Sequence, residues 1–334
     1  MRRRALGLLS GGLDSALATA LLLEQGLEVV ALHFEFPTSC RGSAREVARS
    51  LGVPLVVREK GDEYLRLLRD PRWGYGRHRN PCVDCRVFML ERARGLLSEL
   101  GASFLFTGEV LGQRPMSQLG GQIRLIDRQA GVDGLVVRPL SARLLPPTEP
   151  ERRGWVDRSR LLAISGRSRR VQLAEAKRLG LECFDAPAGG CRLTEAAFAR
   201  KIDDLFAHTR AAEIGSTDVE LLAIGRHFRL GPALKIVLGR NAGENRRLAG
   251  FESAARWLVE PESFAGPSAL VCGPRDEVGL AHALALIVRY ADGPGPGDVV
   301  RWNSGAGPRT RTLGTQAAAS APDPRASRGG APAS

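Results

Sequence analysis

Ser10-Gly11-Gly12-Leu13-Asp14-Ser15 is the stretch whose reading decides the fold. The apolar run Ala5 to Leu9 before it reads as a buried strand. Behind it Ala16, Leu17, Ala20, Leu21 and Leu22 recur at helical spacing until Gly26 stops the pattern. A strand, a Gly-Gly turn and a helix N-terminus together form a cradle for phosphate. The glycines let backbone N–H groups come close, and the helix dipole favours anionic oxygen. The serine hydroxyls add donors, and Asp14 can hold a magnesium ion against the same phosphates. An ordinary βα turn capped by Ser or Asp uses the same residue types, so the weight lies in the complete six-residue string at the first βα junction. No Gly-Lys-Ser/Thr follows the glycines, which excludes a Walker A loop.

Outward from this junction, Glu28–Phe36 and Val53–Arg58 read as strands around a helix over Ser43–Leu51, and Ser103–Thr107 as a further buried strand. The alternation predicts an α/β fold, a doubly wound parallel sheet whose ligands bind outside the carboxyl ends of the strands. Short strands are expected at Gln122–Ile126 and Leu135–Val137, a short helix at Trp155–Ile164, and a helix running from a Ser168 cap to Gly180. An amphipathic helix follows over Glu195–Ala207. From about Ser216 the style changes. Strands around Ala233–Leu238 and Ser268–Val271 are each followed by a helix, Ala242–Ala249 and Glu277–Tyr290, giving a smaller C-terminal α/β unit. Beyond about Asn303 the chain is rich in Ala, Pro, Gly and Ser and is expected to be disordered. The expected domains are 1–142 for nucleotide binding, 143–212 as a basic segment completing the site, 213–293 as the small unit, and 294–334 as linker and tail.

The chain of 334 residues is 43% apolar and 25% charged, ordinary values for a globular protein, but its net charge is +12. Between Arg143 and Arg178 lie ten Arg/Lys against four Asp/Glu, and so clustered an excess favours a nucleic-acid surface. No apolar run is long enough to cross a membrane. The N-terminal arginines and apolar stretch mimic a signal peptide, but Gly11, Gly12 and Asp14 interrupt the run. With six cysteines and no signal peptide, the expectation is a reducing cytoplasm and cysteines kept for metal or sulfur chemistry.

Cys82-Val83-Asp84-Cys85 opens a helix running to Leu100, and Cys191 lies far along the chain in a Gly-Gly turn. Pro/Gly turns present ligands, whereas a structural cysteine sits in an apolar run, as Cys183 and Cys272 do. Four readings stand side by side. The three cysteines are unrelated; or they form a zinc site lacking its fourth ligand; or they form a redox or persulfide pair, since a helix N-terminus lowers a thiol pKa; or they hold a 4Fe–4S cluster. The last is preferred, because three thiolates leave one iron open to bind and present an external sulfide.

The string Ser10–Ser15 resembles the PP-loop of the ATP pyrophosphatase superfamily, enzymes that adenylate a carbonyl oxygen and release pyrophosphate. Asn80-Pro81-Cys82-Val83-Asp84-Cys85, Gly108-Glu109-Val110-Leu111-Gly112-Gln113 and Ala188-Gly189-Gly190-Cys191 are similar to motifs of the tRNA thiouridine synthetases in that superfamily. The resemblance covers about residues 5–210. It implies that Ser10, Gly11, Gly12, Asp14 and Ser15 grip ATP pyrophosphate with Mg2+, and that Gly108, Glu109 and Gln113 line the adenylation pocket. It also implies that Cys82, Cys85 and Cys191 deliver sulfur. Lys235-Ile236-Val237-Leu238-Gly239-Arg240-Asn241 is similar to the small RNA-binding domain of ribosome-quality-control factors. RNA contacts are therefore expected from Arg167, Arg169, Arg170, Lys235 and Arg240. Because the sequence opens directly on the loop strand, the RNA-binding domain that usually precedes 4-thiouridine synthases is not expected here, and the modified position is left open.

The resulting expectation is an ATP-dependent tRNA sulfurtransferase partnered by tRNA and a sulfur donor, sulfide or a cysteine desulfurase, with a homodimer left open. The alternatives are a PP-loop enzyme acting on a small-molecule acceptor, and an RNA-binding quality-control factor.

Overall fold

The computed structural model describes residues 3–37, 44–185 and 191–314. The turn expected at residues 186–190, ahead of Cys191, and the tail from 315 onward lie outside the described residues. Two compact units divide the chain, residues 1–199 and 200–334.

The first unit alternates strand and helix: β1 (Arg4–Leu8), α1 (Leu13–Glu24), β2 (Glu28–Glu35), α2 (Ala44–Ser50), β3 (Leu55–Glu59), α3 (Gly61–Arg69), α4 (Cys82–Gly95), β4 (Phe104–Thr107), α5 (Gly120–Gln129) and β5 (Val136–Val137). A long strap then carries α6 (Glu149–Arg152) and α7 (Arg170–Arg178). The strands pair in parallel in the order β3-β2-β1-β4-β5. Side chains alternate between the two faces of this sheet. Ala5, Val29, Ala31, Phe104 and Phe106 join α1 in one core, while Leu6, Val30, Leu32 and Leu105 join α4 and α5 in the other. The strand order reverses between β1 and β4, so the crevice at their carboxyl ends is where such a sheet receives a ligand.

The second unit keeps the two expected strand–helix pairs and adds further strands around them. After α8 (Ala196–His208), which spans the boundary in sequence, come α9 (Ser216–Leu221), β6 (Arg226–Gly231), β7 (Leu234–Leu238), α10 (Ala242–Ala249), β8 (Arg256–Pro261), β9 (Ala269–Cys272), α11 (Glu277–Tyr290), β10 (Val299–Asn303) and β11 (Pro308–Thr312). The six strands form an antiparallel sheet in the order β11-β10-β8-β9-β7-β6. Trp257, Val259 and Val271 pack with α11 on one face, and Val237, Leu258 and Leu270 with Leu248 of α10 on the other.

Three local expectations need correction, and one helix is new. Gln122–Ile126 lies within helix α5, because Ile123 and Ile126 recur at three residues and are both buried, a helical rather than an alternating pattern. Trp155–Ile164 holds only a single 3-10 turn, Arg158–Arg160, where the Asp157 carboxylate accepts the Ser159 N–H at 2.9 Å and closes the turn before a helix can extend. Helix α3 is an addition to the expected elements, with Tyr64, Leu65 and Leu68 as its buried stripe. The supposed tail supplies β10 and β11, anchored by a fully buried Val300.

Candidate active site at the sheet edge

The loop between β1 and α1 is held open by its own hydroxyls. Ser10 N–H donates to Ser15 Oγ at 3.2 Å, the two hydroxyls lie 3.1 Å apart, and Ser15 Oγ donates to the Gly12 carbonyl at 2.9 Å. Gly11 takes φ 87°, a conformation that favours glycine. The N–H groups at the start of α1 have no intrahelical acceptor and face the sheet edge as anion donors.

The loop after β4 is pressed against the same helix start. A Cβ at Gly108 would lie 2.4 Å from the Asp14 carbonyl oxygen, so only glycine permits this approach. Gln113 then reaches across and donates from Nε2 to Asp14 Oδ2 at 2.8 Å. Asp14 Oδ1 and Gln113 Oε1 remain shielded from water with no hydrogen-bond partner among the described residues. Two orphaned acceptors beside an anion cradle are costly unless a donor or cation completes them, and that donor set fits a magnesium ion.

Glu109, on the same loop, is tied into the sheet on one side. It is 2% exposed, and Oε2 accepts from Arg138 Nε at 2.9 Å and from Thr107 Oγ1 at 3.1 Å. Arg86 Nε lies 3.4 Å from Oε1. Burial would raise this carboxyl, but Arg138 and Arg86 outweigh it and hold the group below the ordinary glutamate range. The far side of Arg138 forks onto Asp127 at 2.8 and 2.7 Å. Glu109 therefore fastens its loop into the sheet through Oε2, while Oε1 has no hydrogen-bond partner among the described residues.

Cys82 and Cys85 lie one helical turn apart in the first turn of α4. The intervening Asp84 accepts the N–H groups of Arg72 at 2.8 Å and Trp73 at 3.3 Å, which pins the preceding loop. The Arg79 N–H of that loop donates to the Leu193 carbonyl at 3.2 Å, bringing the segment that begins at Cys191 alongside. All three thiols act on the buried Tyr64: its hydroxyl is pushed well up, first by burial and then by Cys85, Cys191 and Cys82. Lys60, the residue after β3, donates to Cys85 Sγ at 3.2 Å and lies 4.2 Å from the Tyr64 ring centroid. Burial alone would raise the Cys85 thiol, but Lys60, Tyr64 and Arg86 bring it below its ordinary value. Burial and the neighbouring Cys85 push Cys82 up instead. Among the described residues, no three His, Cys, Asp or Glu side chains are grouped closely enough to hold a metal ion. The thiols share a neighbourhood, but the donor set as placed does not fit a cluster, and Cys85 is already taken by the Lys60 ammonium.

The basic strap returns to this edge. Ser141 Oγ accepts the Leu111 N–H at 2.9 Å and donates to the Ile164 carbonyl at 2.7 Å, and Gly166 N–H donates to the Leu111 carbonyl at 2.7 Å. Arg167, Arg169 and Arg170 follow directly, with no ion pair to any described residue, so the strap brings them beside the Gly108–Gln113 loop. Arg158 and Arg178 are instead consumed by Glu151 and by Glu24 with Glu175. In the second unit Lys235 must be corrected as an RNA contact. It is 6% exposed and donates to Asp204 Oδ2 at 2.8 Å, leaving no face for a phosphate. Arg240 is half exposed and braced by Glu244. Sequence reasoning missed Lys60, Tyr64, Arg86, Arg138 and Ser141. Lys60 and Arg138 had one available signal, their position directly after strands β3 and β5 on the ligand-binding edge.

Residues 1–143 match the family model described as thiamine biosynthesis protein (ThiI), and residues 225–319 match that of the NFACT protein RNA binding domain. The tRNA-specific 2-thiouridylase MnmA of Geobacter metallireducens is 35% identical over 133 residues, covering 32% of this chain and 35% of that protein. A probable tRNA sulfurtransferase of Methanothermobacter thermautotrophicus is 28% identical over 156 residues, 42% of this chain and 40% of the relative. The chain thus spans well under half the length of these curated relatives. A solved 4-thiouridine synthetase–RNA complex with bound ATP aligns over 53% of this chain and 41% of its own, at 23% identity and a TM-score of 0.37. Residues 1–143 are thus similar to the ThiI family and residues 225–319 to the NFACT RNA binding domain, the two likenesses lying side by side in one chain.

Proposed function

We propose that this chain is an ATP-dependent tRNA sulfurtransferase that adenylates a uridine carbonyl and replaces its oxygen with sulfur. The observation that carries the reading is the Gln113–Asp14 hydrogen bond of 2.8 Å, which joins the phosphate loop to the Gly108–Gln113 loop and leaves two buried acceptors unfilled. A uracil oxygen is a poor leaving group, and AMP transfer makes it a good one. The Ser10–Ser15 loop and the start of α1 hold the pyrophosphate as it departs. Asp14 would hold magnesium, which would neutralise charge on the phosphates. Gln113 fixes the carboxylate that does so. Arg167, Arg169 and Arg170 bind the tRNA backbone at the mouth of the site.

The Cys85 thiolate, favoured by Lys60 and Tyr64, accepts the outer sulfur of a donor persulfide, whose own thiolate leaves. The terminal sulfur of the Cys85 persulfide then attacks the activated carbon and AMP departs. Cys191 attacks the Cys85 sulfur, which releases thiouridine and leaves a disulfide for an external thiol to reduce. No step here runs through an iron–sulfur cluster. A reducing cytoplasm suits the six cysteines and this chemistry, and no described helix is long and apolar enough to cross a membrane.

The test combines pyrophosphate release with mass spectrometry of nucleosides from tRNA incubated with the full chain, ATP, a persulfide donor and a reducing thiol. Wild type forms thiouridine, Asp14→Ala loses both signals, and Cys191→Ala retains ATP binding while losing thiouridine. Wild type that consumes ATP without any tRNA dependence overturns the reading. Iron and acid-labile sulfide analysis of anaerobically purified protein, run alongside, decides between a cluster and a cysteine-borne sulfur.

A further inference from the structure

The second unit contains a cavity of about 620 Å³ that takes no part in the chemistry above. That volume falls within the range of about 300–1,000 Å³ usual for small-ligand sites. Its walls come from the start of β6, the end of β8, the start of α10, the 264–268 loop and the end of α11. Three arginines line it: Arg226, Arg240 and Arg246. Arg226 and Arg246 are exposed and form no ion pair with a described residue, whereas Arg240 is braced by Glu244. Two acids also line the cavity. Glu260 is occupied by Arg301 at 3.3 Å, which leaves Asp292 as the one lining carboxylate without a described partner.

The aromatic content is what separates this cleft from a bare basic patch. The Arg226 guanidinium lies 5.0 Å from the Tyr290 ring centroid, and Phe264 also lines the cavity. Phe228 backs Tyr290 from the core, with ring centroids 6.0 Å apart. The floor is rigid: Asn245 accepts the Ser268 N–H at 3.1 Å and donates to the Gly266 carbonyl at 3.2 Å, tying α10 to the 264–268 loop. At the start of α10, Asn241 Oδ1 caps the Glu244 N–H, while the N–H groups of Ala242 and Gly243 have no intrahelical acceptor. Planar guanidinium and phenol groups beside unpaired cations suit a base with its phosphate, and the cleft is open, so a chain can continue out of it.

We propose that this cleft seats one nucleotide of a single-stranded RNA segment, its base laid against Arg226 and Tyr290 and its phosphate held by Arg246 and Arg240. The assignment deepens the reading of residues 225–319 as an RNA-binding domain and rests on it, but it does not depend on thiolation in the first unit.

The test is fluorescence anisotropy with the full chain, using a labelled tRNA transcript and a labelled single-stranded RNA of roughly 12 nucleotides. The double substitution Arg226→Ala with Arg246→Ala touches only exposed side chains. It is expected to weaken binding of the short RNA about tenfold and to make the salt dependence shallower by about 0.7 for each phosphate left without its cation. Arg309→Ala with Arg311→Ala removes the same charge from the β11 edge and is expected to stay within about twofold of wild type. Equal losses in both variants, or no loss in the first, overturn the proposal. So does a poly-glutamate peptide that displaces the RNA as well as unlabelled RNA does. Ultraviolet crosslinking followed by peptide mass spectrometry is expected to mark Tyr290 or Phe264, and crosslinks confined to residues 1–199 overturn the proposal as well. Thiouridine formation is scored on the same samples. Its absence, with the anisotropy pattern intact, removes the thiolation reading and leaves the cleft standing.

Discussion

Each unit ties a buried cation to carboxylates, and the two clusters are used differently. Arg138 in the first unit is 4% exposed and lies between Glu109 and Asp127. Lys235 in the second is 6% exposed and shares Asp204 with Arg229, whose guanidinium forks onto the same carboxylate at 2.9 Å through both nitrogens. Arg138 fastens a site loop: through Glu109 it positions Gly108 and Gln113 and, by way of Arg86, the helix that carries the cysteines. Lys235 fastens α8 to β6 and β7, and none of these partners belongs to the sheet edge of the first unit. Both Glu109 and Lys235 looked functional as isolated letters. The difference teaches that a buried charge gains a function only through what its partner holds in place.

The largest expected effect follows from breaking the first of these clusters. Arg138→Met leaves Glu109 and Asp127 buried without their shared cation, a loss of roughly 3–5 kcal/mol for an uncompensated buried charge. Thermal unfolding followed by circular dichroism measures it. Arg138→Lys is expected to recover little, since a point charge cannot supply the fork to Asp127 and the Nε contact to Glu109 together. If Arg138→Met melts like wild type, the cluster does not anchor the loop.

Breaking the second cluster has a smaller effect with a pH signature. Asp204→Asn removes the carboxylate shared by two cations, and one of them, Arg229, is accessible enough to turn to water. The expected cost is about 1–3 kcal/mol. Burial would raise the Asp204 carboxyl, but Arg229 and Lys235 hold it well below the ordinary aspartate value. Because the folded value lies below the unfolded one, the stabilisation is full above about pH 4–5 and is lost as the pH falls from there through the folded value. Urea unfolding between about pH 6 and 3 should therefore show a steeper acid loss in wild type than in Asp204→Asn. Parallel curves would mean that Asp204 is not held ionised by this pair.

The same contrast explains what could be read from the sequence. Strand runs, glycine stops and the Ser10–Ser15, Gly108–Gln113 and Cys82–Cys85 motifs are local patterns. The parallel sheet brings all three motifs to one edge because each follows a strand or lies beside its end. Partnerships over long separations were not legible. Nothing near Glu109 announces Arg138 or Arg86, and nothing near Cys85 announces Lys60 across 25 positions. The antiparallel sheet of the second unit was also only half legible. Arg226–Gly231 and Pro308–Thr312 are edge strands rich in arginine, and their polar faces hide the alternation that marks a half-buried strand.

The smallest expected effect on stability carries the sharpest functional contrast. Lys235→Met and Arg167→Ala with Arg169→Ala each remove positive charge that the sequence assigned to RNA. Arg167 and Arg169 have no described ion-pair partner and follow the Gly166 contact to Leu111, so their loss should change stability by no more than about 0.5 kcal/mol. Full-length tRNA binding is expected to weaken severalfold in the arginine variant, with the slope of log affinity against log salt shallower by about 0.7–0.9 for each phosphate no longer neutralised. Lys235→Met should leave both the affinity and the slope unchanged, because its ammonium already faces Asp204 inside the fold. A salt titration of all three proteins against one labelled tRNA decides the matter. Equal slopes in the arginine variant and wild type would remove the strap from the RNA path, and a shallower slope in Lys235→Met would mean that this lysine leaves Asp204 to meet a phosphate.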